Sequence, residues 1–141
     1  SIGARVNGFF AAGEAARIDE RRLRVLTARR DSVAAGESMM EGLLAADNLP
    51  PAILCSSLLV LEGALRRLKR ERGAVPSELI VGTFDYDGFL ELLPNPVIVV
   101  RQNEEALAQA AFDVLRRQMK GEKDDAPARS VIAADLVRLG M

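Results

Sequence analysis

The 141-residue chain has no histidine, no tryptophan and one cysteine, Cys55. Without histidine, the commonest general base near neutral pH and the commonest metal ligand are both missing, and Ser-His or Cys-His nucleophile systems cannot be assembled. A single cysteine permits no internal disulfide. Its place within the apolar run from Ala52 to Ser56 marks it as a buried, inert thiol, which fits a reducing cytoplasm. An excess of one charge is lacking too: 19 Lys and Arg against 20 Asp and Glu leave a formal charge of −1, whereas gripping nucleic acid unaided needs a clustered basic surplus. No apolar run approaches the roughly 20 residues of a membrane span, and the amino end carries neither the charged nor the apolar region of a signal peptide. Gly73, Gly82 and Gly88 fit neither nucleotide-binding fingerprint. These residues therefore predict no metal site and no cofactor.

With 49% hydrophobic residues the chain can bury a core, as one domain or one lobe of a larger one. Its organising stretch is Pro51 to Asp85, which reads as strand, helix, strand. Ala52 to Ser56 is a short apolar run entered through Pro50-Pro51, the pattern of a buried parallel strand. A helix of about four turns follows, with Ser57 as N-cap and with Gly73 and Pro76 as its stop. Leu79 to Thr83 is again apolar and β-branched, so it should lie parallel to the first strand through a right-handed crossover. Ser57 and Asp85 then follow successive strand ends, the rim at which open α/β sheets bind ligands.

Upstream, Ala4 to Arg17 predicts a helix with one apolar face, in which Gly8 marks a close approach to a neighbouring backbone. Leu23 to Ala28 predicts a strand. Asp31 or Ser32 caps a helix running to about Ala46, with Met39, Met40, Leu43 and Leu44 as its buried stripe. Downstream, Phe89 to Pro96 is an apolar loop with no room for a full helix. Val97 to Val100 is a strand, Asn103 to Lys120 a helix, Glu122 to Pro127 a charged loop, and Val131 to Val137 a last strand broken by Asp135. The alternation predicts an α/β fold: a parallel sheet flanked by helices on both faces.

Carboxylate chemistry survives the absences. Asp85 and Asp87 at a strand end can be read as an acid and a base or as a magnesium site, against the plainer reading of loop carboxylates making turn hydrogen bonds. Arg66, Arg67, Lys69, Arg70 and Arg72 crowd the last turns of a helix, where cations complement its dipole, and read as a solvated face. Two features exceed what a single core requires. Leu58, Leu59, Val60 and Leu61 are consecutive, making the helix apolar all round for a turn, and Phe89 to Pro96 is apolar without a helix of its own. Both suggest a partner surface, the alternative being cover by other parts of the same chain.

Four segments carry a family resemblance. Arg5-Val6-Asn7-Gly8-Phe9 matches an R-x-x-G-F helix start, Pro51 to Gly63 a proline-led apolar strand followed by serine and glycine, Ile80 to Asp85 a strand ending in an aromatic-Asp turn, and Pro96 to Gln102 a proline-led strand ending in glutamine. In this order and spacing the chain resembles the carboxyl-terminal half of the effector domain of lactose-repressor (LacI/GalR) family transcriptional regulators. Thr83-Phe84-Asp85, Leu92-Leu93-Pro94, Arg101-Gln102 and Leu136-Val137-Arg138 are most similar to the fructose-repressor, or catabolite repressor/activator, branch.

The resemblance implies the carboxyl-terminal lobe of a type I periplasmic-binding-protein-like fold, with residues 1–96 as the lobe, 97–121 as a crossing strand and helix, and 122–141 as a loop and terminal strand. It also implies that the family's DNA-binding domain lies outside this chain. Arg5 and Asp85 fall on the family's effector-binding arginine and aspartate, and Ser57 where many members have asparagine. Gln102 is a further contact from the crossing strand. Leu58 replaces an aspartate that often follows, and Asp31 stands where others place a stacking aromatic, departures that favour a polar ligand. Leu58, Leu61, Leu65, Phe89, Leu92 and Leu93 fall on the family's dimer interface. The expected function is thus sensing of a sugar or sugar phosphate by a cytoplasmic, homodimeric regulator of carbohydrate metabolism that reaches DNA through a separate amino-terminal domain and is not an enzyme. A transport sugar-binding protein of the same fold, or a small Rossmann-like enzyme using Asp85 and Asp87, are the alternatives.

Overall fold

A computed structural model describes residues 2–121 and 131–140. Helix α1 (Ile2–Ala15) leads through a 3-10 turn at Glu20–Arg22 to α2 (Val33–Ala45), β1 (Ala52–Cys55), α3 (Leu58–Arg72) and β2 (Ile80–Phe84). A second 3-10 turn at Gly88–Leu92, then β3 (Val97–Arg101), α4 (Glu104–Met119) and β4 (Asp135–Leu139), complete the order. The strands form one sheet in the order β1-β2-β3-β4, with β1, β2 and β3 parallel and β4 antiparallel to β3. The charged loop expected at Glu122 to Pro127 lies outside the described residues.

Local chemistry explains the helix ends. Ser32 Oγ accepts from the Ala35 amide at 3.1 Å and Ser57 Oγ from the Val60 amide at 3.4 Å, each satisfying a donor that the first helical turn leaves unpaired. Asn103 does the same for α4 through the Ala106 amide. Gly73 ends α3 at φ 78°, a left-handed conformation that glycine adopts without steric penalty.

The register pairs Val81 with Val97 and Thr83 with Val99, so these four fully buried side chains share one face of the sheet. Helix α3 lies on that face and brings Leu61, Leu65 and Leu68 to it, while α2 packs along α3 and adds Met40. Each fully buried aliphatic side chain contributes about 1.5–3 kcal/mol, so this layer is the main source of stability. On the opposite face Leu54 and Ile80 remain 50% and 41% exposed. Helices on both faces were expected. Among the described residues α3, backed by α2, covers the sheet closely, while α4 buries no residue and α1 buries only Gly13.

Three further expectations change. Leu23 to Ala28 forms no strand, because β1 is the edge of the sheet and the segment pairs with no ladder. Leu23 packs instead against Gly13, and Val25 and Leu26 stay exposed. Gly8 faces open space, so the close approaches in the fold belong to other glycines. The last strand begins at Asp135 rather than Val131. Its register sets Val137 and Leu139 opposite Val99 and Val97, and Asp135 opposite Arg101, whose guanidinium is 3.3 Å from the carboxylate. Here an alternating pattern outweighs the longer apolar run.

Candidate effector site at the carboxyl ends of the parallel strands

The site is built where β1, β2 and β3 end side by side. Arg5, on the first turn of α1, donates from Nη1 to the Ser56 carbonyl just after β1, at 2.8 Å. Its guanidinium lies 4.0 Å above the ring of Phe84, the last residue of β2. Stacking of this kind fixes a planar cation by its attraction to the ring face. The Ser56 hydroxyl donates in turn to Asp31 Oδ1 at 3.2 Å, tying the loop before α2 to the same rim.

Asp85 follows Phe84 at φ 68°, one of the few non-glycine residues in the left-handed region, which aspartate tolerates better than most. Its amide donates to the Val100 carbonyl at 3.0 Å, and Gln102 Nε2, just past β3, donates to Asp85 Oδ1 at 2.8 Å. The sharp turn directs this carboxylate toward the β3 end instead of along β2. A depression of about 640 Å³ around the loop before α2 is lined by Ala28, Arg29, Arg30, Ser32 and Ala35.

Of the effector-binding residues read from the sequence, Asp85 and Gln102 are hydrogen-bonded to each other, and Arg5 is anchored beside them on Phe84. The Ser57 hydroxyl is engaged in capping α3. The contacts of Ser56 and Phe84 with Arg5, and of Asp31 with Ser56, were not foreseen from the sequence. The aromatic-Asp turn hinted at Phe84, but no sequence signal marks which of two adjacent serines faces Asp31.

Asp87 and Asp85 are held by different partners. Asp87 Oδ1 accepts from the Phe89 amide at 3.0 Å and caps the 3-10 turn, the plainer of the two readings of these carboxylates. The Tyr86 hydroxyl donates to Glu91, and this bond to a carboxylate raises the phenol above its ordinary pKa. Burial alone pushes the Cys55 thiol up to about 11. Among the described residues no group of His, Cys, Asp and Glu is arranged to hold a metal ion.

The residues expected at a dimer interface separate by location. Leu61 and Leu65 lie in the core, on the side of α3 that meets α2 and the sheet, and cannot face a partner. Leu58, Phe89 and Leu93 are half-buried, and Leu92 is 83% exposed.

Parallel strands whose carboxyl ends bring polar groups side by side are the arrangement of open α/β domains, in which that rim is the usual place for a ligand. Residues 1–138 match the family model of the periplasmic binding protein-like domain. The chain belongs to that family. It is 25% identical over 123 residues to the catabolite repressor/activator of Escherichia coli K12, covering 87% of this chain and 37% of the relative. It is 30% identical over 88 residues to the HTH-type transcriptional repressor CytR of the same organism, covering 62% of this chain and 26% of the relative. The chain thus spans about a third or less of the curated relatives it matches. In fold it is similar to a LacI family transcriptional regulator from Enterococcus faecium with bound ribose, at TM-score 0.77 and 21% identity over 99% of this chain and 51% of that one. It is also similar to the Cra transcriptional dual regulator of Pseudomonas putida in complex with fructose 1-phosphate, at TM-score 0.64 and 20% identity over 76% of this chain and 39% of that one. No helix among the described residues is long and apolar enough to cross a membrane.

Proposed function

We propose that the chain is the sugar-sensing part of a LacI-type transcriptional regulator of carbohydrate metabolism, working in the cytoplasm and binding a sugar or a sugar phosphate such as fructose 1-phosphate. The observation that carries this reading is the convergence, at adjacent strand ends, of an arginine fork held on Phe84 and a carboxylate held by Gln102. A polyhydroxylated ligand needs donors and acceptors together. Arg5 offers several N–H donors beyond the one given to Ser56, and Asp85 offers a second oxygen and further lone pairs. The titles of regulator that its relatives carry support a binding role over an enzymatic one. So do the engagement of Asp87 in a cap and of Asp85 with Gln102.

In this reading the regulator is a homodimer that reaches DNA through a separate domain. Exposed Leu92 beside half-buried Phe89 and Leu93, and the exposed apolar residues Leu107, Phe112, Leu115 and Met119 of α4, support a partner surface. Calorimetric titration of the full-length protein with fructose 1-phosphate and with ribose tests the sensing role. Saturable heat from at least one, lost in Arg5→Ala, is expected. Absence of saturable binding to either at millimolar concentration would overturn this choice of ligand class.

A further inference from the structure

Resting on the sugar-sensing reading, we propose that Ser56 is a positioning residue that sets the charge arrangement of the cleft. Its carbonyl holds Arg5 and its hydroxyl holds Asp31, so one residue fixes a cation from α1 and a carboxylate from the loop before α2. The three residues come from parts of the chain far apart in sequence: Arg5 lies 51 residues from Ser56, and Asp31 lies 25. Ser56 and Ser57 are the two residues between the end of β1 and the start of α3. The hydroxyl of Ser57 is taken by the cap of α3, whereas that of Ser56 reaches Asp31.

The arrangement has a chemical consequence for the ligand. Asp31 gives one oxygen to Ser56 and keeps the other for a donor, while Arg5 gives one N–H to Ser56 and keeps the rest of its fork for an acceptor. A ligand that fits presents a hydroxyl donor toward Asp31 and a hydroxyl, ring or phosphate oxygen toward Arg5, as a polyol chain or its phosphate ester does. The Asp31 carboxylate acts only when oriented. An unrestrained exposed side chain must be ordered at the moment of binding, which lowers affinity.

The test separates the hydroxyl from the carbonyl. Ser56→Ala removes only the tie to Asp31, Ser56→Thr restores a hydroxyl, and Asp31→Asn removes the charge that the hydroxyl holds. In the chain without ligand, the carboxyl carbon-13 resonance of Asp31 is expected to move in Ser56→Ala and return in Ser56→Thr. The Arg5 side-chain resonances, shifted by the Phe84 ring, are expected to stay where they are. An unmoved Asp31 resonance in Ser56→Ala would overturn the proposal whether or not any sugar binds. In the full-length protein titrated with fructose 1-phosphate and with ribose, Ser56→Ala is expected to weaken binding of whichever binds roughly 3- to 10-fold. Asp31→Asn should weaken it as much, and the double variant no further, while Ser56→Thr binds as the wild type does. Wild-type affinity in Ser56→Ala would overturn the proposal while leaving the sensing role intact. If the wild type binds neither sugar, that choice of ligand class fails and the resonances alone decide the role of Ser56.

Discussion

Gly36 and Gly63 face each other where α2 crosses α3, each lying against the main chain of the other's helix. A Cβ on Gly36 would collide with the Val60 carbonyl oxygen, and one on Gly63 with the Val33 carbonyl oxygen. The crossing lies near the amino ends of both helices, which begin at Val33 and Leu58. It therefore sets the spacing of the capped ends that carry Asp31 and Ser56. Gly36→Ala or Gly63→Ala is expected to destabilise the chain by about 2–4 kcal/mol, since the obstruction is backbone and cannot rotate away. Gly42→Ala is the control. Gly42 is in the same helix with open space around it, so alanine there should stabilise by about 0.5–1 kcal/mol. Urea denaturation of the three variants checks both signs.

In the full-length protein, Arg5→Ala and Asp85→Ala are each expected to weaken sugar binding by about 2 kcal/mol, roughly 30-fold in Kd, because each leaves a polar ligand group unpaired. Arg5→Lys keeps the charge but loses the planar stack on Phe84 and the forked donors, so it should recover little of the loss. Asp85→Asn separates two roles of the carboxylate. Asparagine tolerates φ 68° and can still accept from Gln102, so stability should hold while affinity falls. Calorimetry and thermal denaturation on the same samples distinguish these outcomes.

Much of this could be read from residue patterns, for physical reasons. The capping serines, Gly73 and the β-branched strands rest on local chemistry, and all three were found where the pattern put them. Leu23 to Ala28 has strand composition but no strand, because a ladder depends on a neighbouring edge that composition does not describe. The Gly36–Gly63 contact was missed for a similar reason: each glycine alone looks like a weak helix position, and only the crossing gives it a role. At the candidate site, the family resemblance singled out Arg5 and Asp85, with Gln102 as a further contact, and the structure sets the three at neighbouring strand ends. The choice between Ser56 and Ser57 was not legible, since it depends on where α3 begins to within a single residue.

Cys55, 6% exposed, carries a thiol held protonated by burial, with its pKa raised to about 11 from an ordinary value of 9.0. Because the folded pKa lies above the unfolded one, the stability linked to this group is fully present below about pH 9. It is lost as pH rises toward 11, with a total near 2–3 kcal/mol by order of magnitude. Stability measured by urea denaturation from pH 8 to 11 should therefore fall less steeply in Cys55→Ala than in the wild type, even though the alanine lowers stability at pH 8. At pH 8 a thiol reagent should react with the native chain only at the rate of its opening, and rapidly after denaturation. Prompt stoichiometric labelling of the native chain would contradict the burial.

Oligomerisation is the last expectation, and the positions of the leucines decide how to test it. Leu61 is wholly enclosed between α3, α2 and the sheet, so Leu61→Asp should unfold the chain and reports on the core alone. Leu92 is 83% exposed at the end of the 3-10 turn, and Phe112 is 62% exposed on α4. An aspartate at either position meets water in a monomer, at little cost, but opposes burial in an interface. Light scattering during size exclusion is expected to give a mass near twice 15.3 kDa for the wild-type chain, shifting toward one chain in Leu92→Asp or Phe112→Asp without loss of helical signal. Arg70→Asp is the comparison. Arg70 pairs with Glu37 at 3.1 Å on the solvated side of α3, so its reversal should leave the mass unchanged while costing about 1 kcal/mol or less of stability from that exposed ion pair. A wild-type mass near one chain at every dilution would show that the apolar surface of α4 and Leu92 is tolerated without a second copy.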